Sequence, residues 1–242
     1  MSDDLHRLVI EPAEMWAAVA ADRLARAITA SVEERGRCLL ALSGGTTPGP
    51  VFVDLARRDL AWDRVVLLQA DERLAPAGSA ERNLTMQRAA FEHLPVTWLP
   101  LPVDELVDPA GPDELPPVEV VADSLAAFGA RLRALADDPP IIDIAQLGLG
   151  RDGHTASLLP GDPGIAELRR PLALTGSYEG RRRLTMTRPV FDRTRAVVWL
   201  VAGQDKAEAL GRLLVGDLTI PAGLIRPRSS LVIADDAAAR QV

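Results

Sequence analysis

The chain has 242 residues, a formal net charge of -7 and a hydrophobic content of 48%, values that are typical of a globular protein. Its acidic balance argues against nucleic acid or an anionic membrane surface as a partner, although a local cluster of arginines can still bind a small anion. No apolar run approaches the ~20 residues that a membrane span requires.

The single cysteine, Cys38, cannot form an intrachain disulfide, which fits a reducing compartment. The polar, acidic beginning of the chain lacks the basic and apolar regions of a secretory signal. We therefore expect a cytoplasmic protein.

Apolar runs alternate with helix-like segments along the chain. After a short apolar run at 8–10, the predicted strands are 38–42, 65–68, 141–147, 184–187, 197–202 and 231–234. The predicted helices are 12–32, 48–58, 84–93, 118–136 and 205–215. Continuous apolar strands that alternate with helices are typical of an α/β fold, in which helices cover both faces of a mostly parallel sheet.

The segment 95–117 is rich in Pro and Asp, and it contains the short run Thr97–Leu99. We predict an irregular surface connection here. It is the best candidate for an internal boundary, but it is too short to separate two domains. We therefore expect residues 1–242 to form one α/β domain.

The first candidate site segment follows the strand 38–42. Ser43, Gly44, Gly45 and Thr46 stand there, directly before a predicted helix. Functional groups of such sheets gather beyond the carboxyl ends of the strands. Glycines let backbone N–H groups approach an anion, and a helix N-terminus favours negative charge. The segment indicates a phosphate-binding loop, with a plain turn capped by Ser or Thr as the alternative.

Two further strand ends carry titratable groups. The triplet Asp71-Glu72-Arg73 follows the strand 65–68, where it can orient a base or bind a ligand, with a solvated surface triplet as the alternative. The strand 141–147 leads into the sequence GLGRDGH, which ends at His154. Histidine titrates near neutral pH and the glycines give a ligand access, so His154 is the candidate general base. His6 and His93 look structural.

Basic residues complete the set. We interpret Arg181 and Arg182 as a solvated basic edge beside Arg183, at the start of the strand 184–187. Lys206 is the only lysine of the chain and lies in the first turn of a predicted helix. A cation at that end is mildly unfavourable for the helix dipole, and a bound anion would offset the effect.

In this order, the segments resemble the 6-phosphogluconolactonase family, a relative of the glucosamine-6-phosphate deaminases. The matching pieces are 41–48, 71–73 with Asn83, 147–161, 183–185 and 203–207, and the most specific is GLGRDGHTASLLPG at 148–161. The resemblance implies a Rossmann-like three-layer sandwich that needs no metal or organic cofactor. It also implies hydrolysis of 6-phospho-D-glucono-1,5-lactone to 6-phosphogluconate, the second step of the oxidative pentose phosphate pathway.

The resemblance also implies roles for individual residues. His154 would deprotonate the attacking water, while Asp71 and Arg73 line its pocket and Asp71 orients either His154 or the water. A donor must meet the oxyanion of the tetrahedral intermediate, either a backbone N–H of the glycine-rich turn or Arg73. The implied substrate-binding residues are Ser43, Gly44, Gly45, Thr46, Asn83, Arg183 and Lys206. The partner is a small phosphorylated lactone, and we expect a monomer or a weak homodimer.

The chain departs from the family pattern at one position, and it lacks the motif of a nucleophilic serine. Arg82-Asn83 stands where Ser-Asn is common in the family, which puts the sugar-hydroxyl contact of Asn83 in doubt. The chain has no G-x-S-x-G motif, so Ser157 is not the expected nucleophile.

Two alternatives remain. Glucosamine-6-phosphate deaminases share the phosphate loop and the glycine–histidine turn. Their turn, however, carries a glutamate five residues after the histidine, where this chain has Leu159, and their acidic motif ends in Tyr where this chain has Arg73. A non-catalytic sugar-phosphate sensor would keep the phosphate-binding residues without the base, and the presence of His154 and Asp71 argues against it.

Overall fold

The computed structural model describes residues 5–107 and 116–242. The strands are β1 (Arg7–Glu11), β2 (Cys38–Leu42), β3 (Val65–Gln69), β4 (Asp71–Arg73), β5 (Thr97–Leu99), β6 (Ile144–Gly148), β7 (Leu172–Leu174), β8 (Arg183–Met186), β9 (Ala196–Val201) and β10 (Ser230–Asp235). The helices are α1 (Ala13–Arg35), α2 (Gly49–Ala56), α3 (Asn83–Phe91), α4 (Val118–Ala136), α5 (Arg188–Arg193) and α6 (Ala207–Leu214). None of the helices in these ranges is long and apolar enough to cross a membrane.

Seven strands form a parallel sheet in the order β1-β10-β9-β6-β2-β3-β5. The interior strands β2 and β3 are buried along their whole length. A strand covered on both faces has no solvent side, which explains its continuous apolar sequence. The α/β class with a mostly parallel sheet is confirmed.

Alternate residues of each strand enter two different cores, because successive side chains of a strand point to opposite faces. In β2, Leu39 and Ala41 pack with residues of α4, α5 and α6. Cys38, Leu40 and Leu42 pack on the other face with residues of α1, α2 and α3. The sheet between these two groups of helices gives the three layers expected from the resemblance.

A second sheet of three antiparallel strands, in the order β4-β8-β7, was not anticipated. Its strands are only three or four residues long, so they carry little period-2 signal in the sequence. The predicted strand 184–187 belongs to this sheet rather than to the parallel one. The pairing of β4 with β8 sets Arg73 opposite Arg183.

The prediction for 95–117 was wrong in part. Thr97–Leu99 forms the edge strand β5, which pairs with β3. Leu99, Leu101, Val103 and Leu106 are buried in the core, so this stretch is not a surface connection. Its part at 108–115 lies outside the described residues. Because strands before and after the segment share one sheet, it marks no internal boundary of that sheet. The extent of the domain over residues 1–242 stays a prediction.

Candidate active site

The site lies where the direction of the chain through the sheet reverses. From β2 the chain proceeds outward to β3 and β5, and it then returns to β6 on the other side of β2 and proceeds to β9 and β10. The connections that follow β2 and β6 therefore lead away in opposite directions, which leaves a crevice between the carboxyl ends of these two strands. This is the position at which ligands bind in open α/β sheets.

A cavity of about 680 Å³ occupies this crevice, and its volume lies within the range of small-molecule sites. All ten residues proposed from the sequence line it: Ser43, Gly44, Gly45, Thr46, Asp71, Arg73, Asn83, His154, Arg183 and Lys206. They come from the ends of β2 and β6, from the small sheet, from the start of α3 and from the turn before α6. The tertiary structure thus gathers them at one place.

His154 is held by a tight turn at the end of β6. The N–H of Gly150 donates to the carbonyl of His154 (2.8 Å), and the N–H of Gly153 donates to the carbonyl of Gly150 (3.0 Å). Gly153 has a φ of +79°, a conformation that side chains disfavour. A Cβ on Gly150 would lie 2.1 Å from His154 Nδ1, so the imidazole packs directly against the bare backbone at this glycine.

Asp152 is the hydrogen-bond partner of the imidazole. Its Oδ1 lies 2.6 Å from His154 Nδ1 and also accepts from the backbone N–H of His154 at 3.1 Å. Burial raises the pKa of Asp152, but the backbone hydrogen bond and the charge of His154 more than offset this, so the pKa of the carboxyl lies below its usual range. An ionised carboxylate only accepts hydrogen bonds, so Nδ1 carries the proton and Nε2 is left to accept one.

Asp71 is buried and has different partners. Its Oδ2 accepts from the Ser157 hydroxyl at 2.6 Å, and its Oδ1 accepts from the Asn83 side-chain amide at 3.2 Å. Burial is the largest effect on this group and raises its pKa, against the opposing effects of the Ser157 hydrogen bond and of the nearby charges of Arg183 and Arg73. Asp71 is therefore a hydrogen-bonded buried carboxyl beside the base, and it is Asp152 that contacts the imidazole.

Asn83 is positioned by Glu72, the middle residue of the acidic triplet. Glu72 is fully buried and accepts from the backbone N–H groups of Asn83 (2.7 Å) and Leu84 (2.8 Å) at the start of α3. These are donors that a helix leaves unsatisfied at its first turn. Arg82 lies 3.1 Å from the buried Glu72 and 2.8 Å from the exposed Asp104, so the residue that departs from the family pattern is a buried cation with two acidic partners. Asn83 keeps its place in the cavity wall.

The loop after β2 presents polar groups to the cavity. The hydroxyl oxygen of Ser43 is buried, and among the described residues it has no hydrogen-bond partner. Gly44 sits against Asn83, because a Cβ there would lie 1.8 Å from the Asn83 side-chain oxygen. Gly45 has a φ of +95°. A buried, unpartnered hydroxyl beside a glycine-rich backbone is suited to an anionic ligand.

The cavity is locally cationic although the chain is acidic. Arg73, Arg82, Arg183 and Lys206 line it, whereas its carboxylates are Asp71 and Glu179. The side chain of Arg183 is only 5% exposed, while Lys206 is 21% exposed and lies 3.3 Å from Asp205. Lys206 stands in a 3₁₀ turn (Gln204–Lys206) directly before α6 rather than inside the helix. This charge excess provides the local cluster that the composition allowed.

Several residues of the site escaped the sequence analysis. Asp152 stands two positions before His154, a spacing that a tight turn can close, and this was the available signal. Tyr178 is the only tyrosine of the chain, and its ring lies 5.5 Å from the ring of His154 and 4.9 Å from the Arg183 guanidinium. Ser157 lies in the quoted motif, but its hydrogen bond to Asp71 spans 86 residues and has no local signature.

Comparisons with known proteins place the chain in a family. The family model "Glucosamine-6-phosphate isomerases/6-phosphogluconolactonase" matches residues 11–234. A 6-phosphogluconolactonase of Synechocystis is 36% identical over 208 residues, which cover 85% of this chain and 84% of that protein. One of Streptomyces coelicolor is 34% identical, and the match covers 100% of this chain and 96% of that protein.

A solved structure extends the likeness to the fold. The 6-phosphogluconolactonase of Trypanosoma brucei has a TM-score of 0.84 and 22% identity to this chain, and the match covers 98% of each. A family model that spans most of the chain and relatives above 30% identity lead to one conclusion. The chain belongs to the family of the glucosamine-6-phosphate isomerases and 6-phosphogluconolactonases.

Proposed function

We propose that this protein hydrolyses 6-phospho-D-glucono-1,5-lactone to 6-phospho-D-gluconate, the second step of the oxidative pentose phosphate pathway. The observation that carries the proposal is the joint lining of one cavity by a carboxylate-held histidine and several cations. A base and an anion-binding group together suit a phosphorylated ester. The relatives from Synechocystis and Streptomyces coelicolor carry the name 6-phosphogluconolactonase.

The proposed reaction needs one base and no covalent intermediate. His154 Nε2 takes a proton from water as the water oxygen bonds to the lactone carbonyl carbon, and the carbonyl oxygen becomes an oxyanion. When this intermediate collapses, the bond from that carbon to the ring oxygen breaks. The imidazolium then returns its proton to the ring oxygen, which becomes a hydroxyl. The new carboxylic acid ionises in solvent.

Neighbouring residues have distinct roles in this scheme. Asp152 holds the imidazole in the tautomer that accepts at Nε2 and stabilises the imidazolium. The partners of Asp71 are Ser157 and Asn83, and the imidazole is held by Asp152. We therefore assign to Asp71 the orientation of the attacking water rather than of His154. We assign the oxyanion to Arg73, because the N–H groups of Gly150 and Gly153 already donate to carbonyls of the turn.

We assign the phosphate of the lactone to the basic residues of the cavity and to the loop after β2. Arg183 and Lys206 supply charge, and the loop at Ser43 supplies a free hydroxyl and backbone donors. Binding the phosphate away from the ester fixes the orientation of the ring, so that the attack of water becomes a positioned event. The unphosphorylated lactone would lose this orientation.

The deaminase alternative lacks its acidic group here. Leu159 stands where the deaminases carry the glutamate of their turn, and it is buried in the core with 5% exposure. No carboxylate can therefore act from that position in ring opening. The sensor alternative gives no reason for the hydrogen bond between His154 and Asp152. The cytoplasmic location, and the state as a monomer or a weak homodimer, stay predictions.

The test of the function is an assay with freshly generated 6-phosphogluconolactone. We expect the protein to accelerate the disappearance of the lactone well above its spontaneous hydrolysis, and to release no ammonia from glucosamine 6-phosphate. Ammonia release without lactone hydrolysis would replace this assignment by the deaminase. Neither activity, with phosphate binding intact, would favour the sensor.

The hydrogen bond between Asp152 and His154 makes a separate prediction. Asp152→Asn keeps the shape of the side chain but removes the charge that stabilises the imidazolium. A hydrogen bond to a charged group contributes about 1.5–3 kcal/mol, so we expect kcat to fall by roughly 10- to 100-fold with little change in KM. Steady-state kinetics check this. An unchanged kcat would remove Asp152 from the mechanism.

A further inference from the structure

Arg183 has few partners for a buried cation. Its side chain is 5% exposed, and its Nε is buried without a hydrogen-bond partner among the described residues. One terminal nitrogen donates to Glu179 Oε2 at 3.1 Å, and its guanidinium carbon lies 4.9 Å from the centre of the Tyr178 ring. One donor of Arg183 is therefore occupied by an exposed carboxylate, and others remain for a further anion.

Glu179 reaches Arg183 from a strained turn. Tyr178 and Arg181 exchange backbone hydrogen bonds of 2.9 and 3.2 Å, and the two residues between them have φ of +52° (Glu179) and +79° (Gly180). Positive φ at both central residues is the type I′ pattern, for which Asn-Gly and Asp-Gly are preferred. Glutamate is a poor residue for this position. The turn by itself thus gives no reason for a glutamate.

The surroundings of Glu179 point to a role toward the ligand. Its side chain is 68% exposed, so it is not needed to fill the core, yet the residue lines the cavity. An exposed carboxylate is free to leave Arg183 without uncovering apolar surface. The Tyr178 ring stays on the guanidinium and can hold it in place by a cation–π contact while the anion changes.

We propose that Glu179 is a specificity-determining residue that competes with the phosphate of the substrate for Arg183. The inference rests on the proposed function and adds the residue that sets how tightly the phosphate is held. In the empty site, the Glu179 carboxylate neutralises the guanidinium. A phosphate dianion that also contacts Lys206 and the Ser43 loop displaces it, whereas a ligand with a single weak anionic contact does not.

The competition predicts that a mutation in the cavity strengthens ligand binding. Removing a residue that binds the ligand weakens binding, but removing a competitor strengthens it. Glu179→Gln keeps the length of the side chain without its charge. Glu179→Asn also removes the charge and suits the left-handed backbone of the turn better. Both variants are therefore expected to bind phosphate more tightly than the wild type.

The experiment measures the dissociation constant of inorganic phosphate by calorimetry for the wild type and the two variants. We expect the dissociation constant to decrease by roughly three- to tenfold in both variants. This range lies between the effect of an exposed ion pair and that of a buried hydrogen bond to a charged group. Glu33→Gln is the control, because Glu33 is exposed on α1 and its loss changes the net charge equally. Its dissociation constant should equal that of the wild type.

The outcomes separate this inference from the function. Weaker, unchanged or undetectable phosphate binding in both Glu179 variants would overturn the competition, as would an equal gain in Glu33→Gln. A gain in Glu179→Asn alone would assign the effect to the turn and would also overturn it. Tighter phosphate binding by a protein that hydrolyses no lactone would keep the competition and refute the proposed hydrolysis.

Discussion

His154→Ala is expected to lower kcat for lactone hydrolysis by roughly 100-fold or more, the usual contribution of a general base. The substitution removes the ring nitrogen that accepts the proton of water and leaves the phosphate-binding residues in place. KM should therefore change much less than kcat. The measurement is the hydrolysis rate after subtraction of the spontaneous reaction, together with thermal unfolding to establish that the variant is folded.

His93 offers a matched control for this variant. It is exposed just after α3 and does not line the cavity, so His93→Ala should keep the wild-type rate. A folded His154→Ala protein that hydrolyses the lactone as fast as the wild type would refute the base while leaving the function intact. Attention would then move to Asp71, the buried carboxyl of the cavity.

Gly150→Ala is expected to lower kcat/KM by about 100-fold although no reacting group is removed. The new methyl carbon would lie 2.1 Å from Nδ1 and 2.3 Å from Cε1 of His154, and 2.7 Å from Oδ1 of Asp152. The ring and its carboxylate must therefore move together. A displacement of about 1 Å of a catalytic group can cost about 100-fold in rate. The same hydrolysis assay measures the loss.

Gly211→Ala controls for the change from glycine to alanine itself. Gly211 lies in α6, and a Cβ there would meet no atom within 4 Å. This variant should keep full activity, and alanine favours the helix over glycine. Wild-type kinetics in Gly150→Ala would mean that the imidazole does not rest against Gly150 in solution, which would contradict the arrangement of the turn described above.

The local sequence was sufficient for most strands of the parallel sheet, but not for its edge strand β5. The apolar runs at 38–42 and 65–68 predict strands buried on both faces, because a half-exposed strand would alternate apolar with polar residues and these runs do not. Each run is also bounded by polar or glycine residues. The small antiparallel sheet was missed. One of its strands, β8, corresponds to the predicted strand 184–187. The other two consist of the charged triplet Asp71–Arg73 and of only three residues in β7, and neither shows a strand pattern in the sequence.

Only part of the site could be predicted from the local sequence. His154 followed from the glycine-rich strand end, whereas the roles of Arg183 and Lys206 came from the family resemblance. Glu72 illustrates the difference. Within the acidic triplet it cannot be told from Asp71 by sequence, yet one carboxylate lines the cavity and the other satisfies the first N–H groups of α3.

By itself, the sequence determined the class of the fold, the strand ends that carry chemistry and the histidine that serves as the candidate base, because these depend on local periodicity and composition. Only the tertiary structure decided which groups meet. Asp71 reaches Ser157 across 86 residues, and the Tyr178 ring lies near both His154 and Arg183. Such contacts depend on how parallel strands and a separate antiparallel sheet are brought to one edge, and pairings between distant segments leave no periodic trace in the chain.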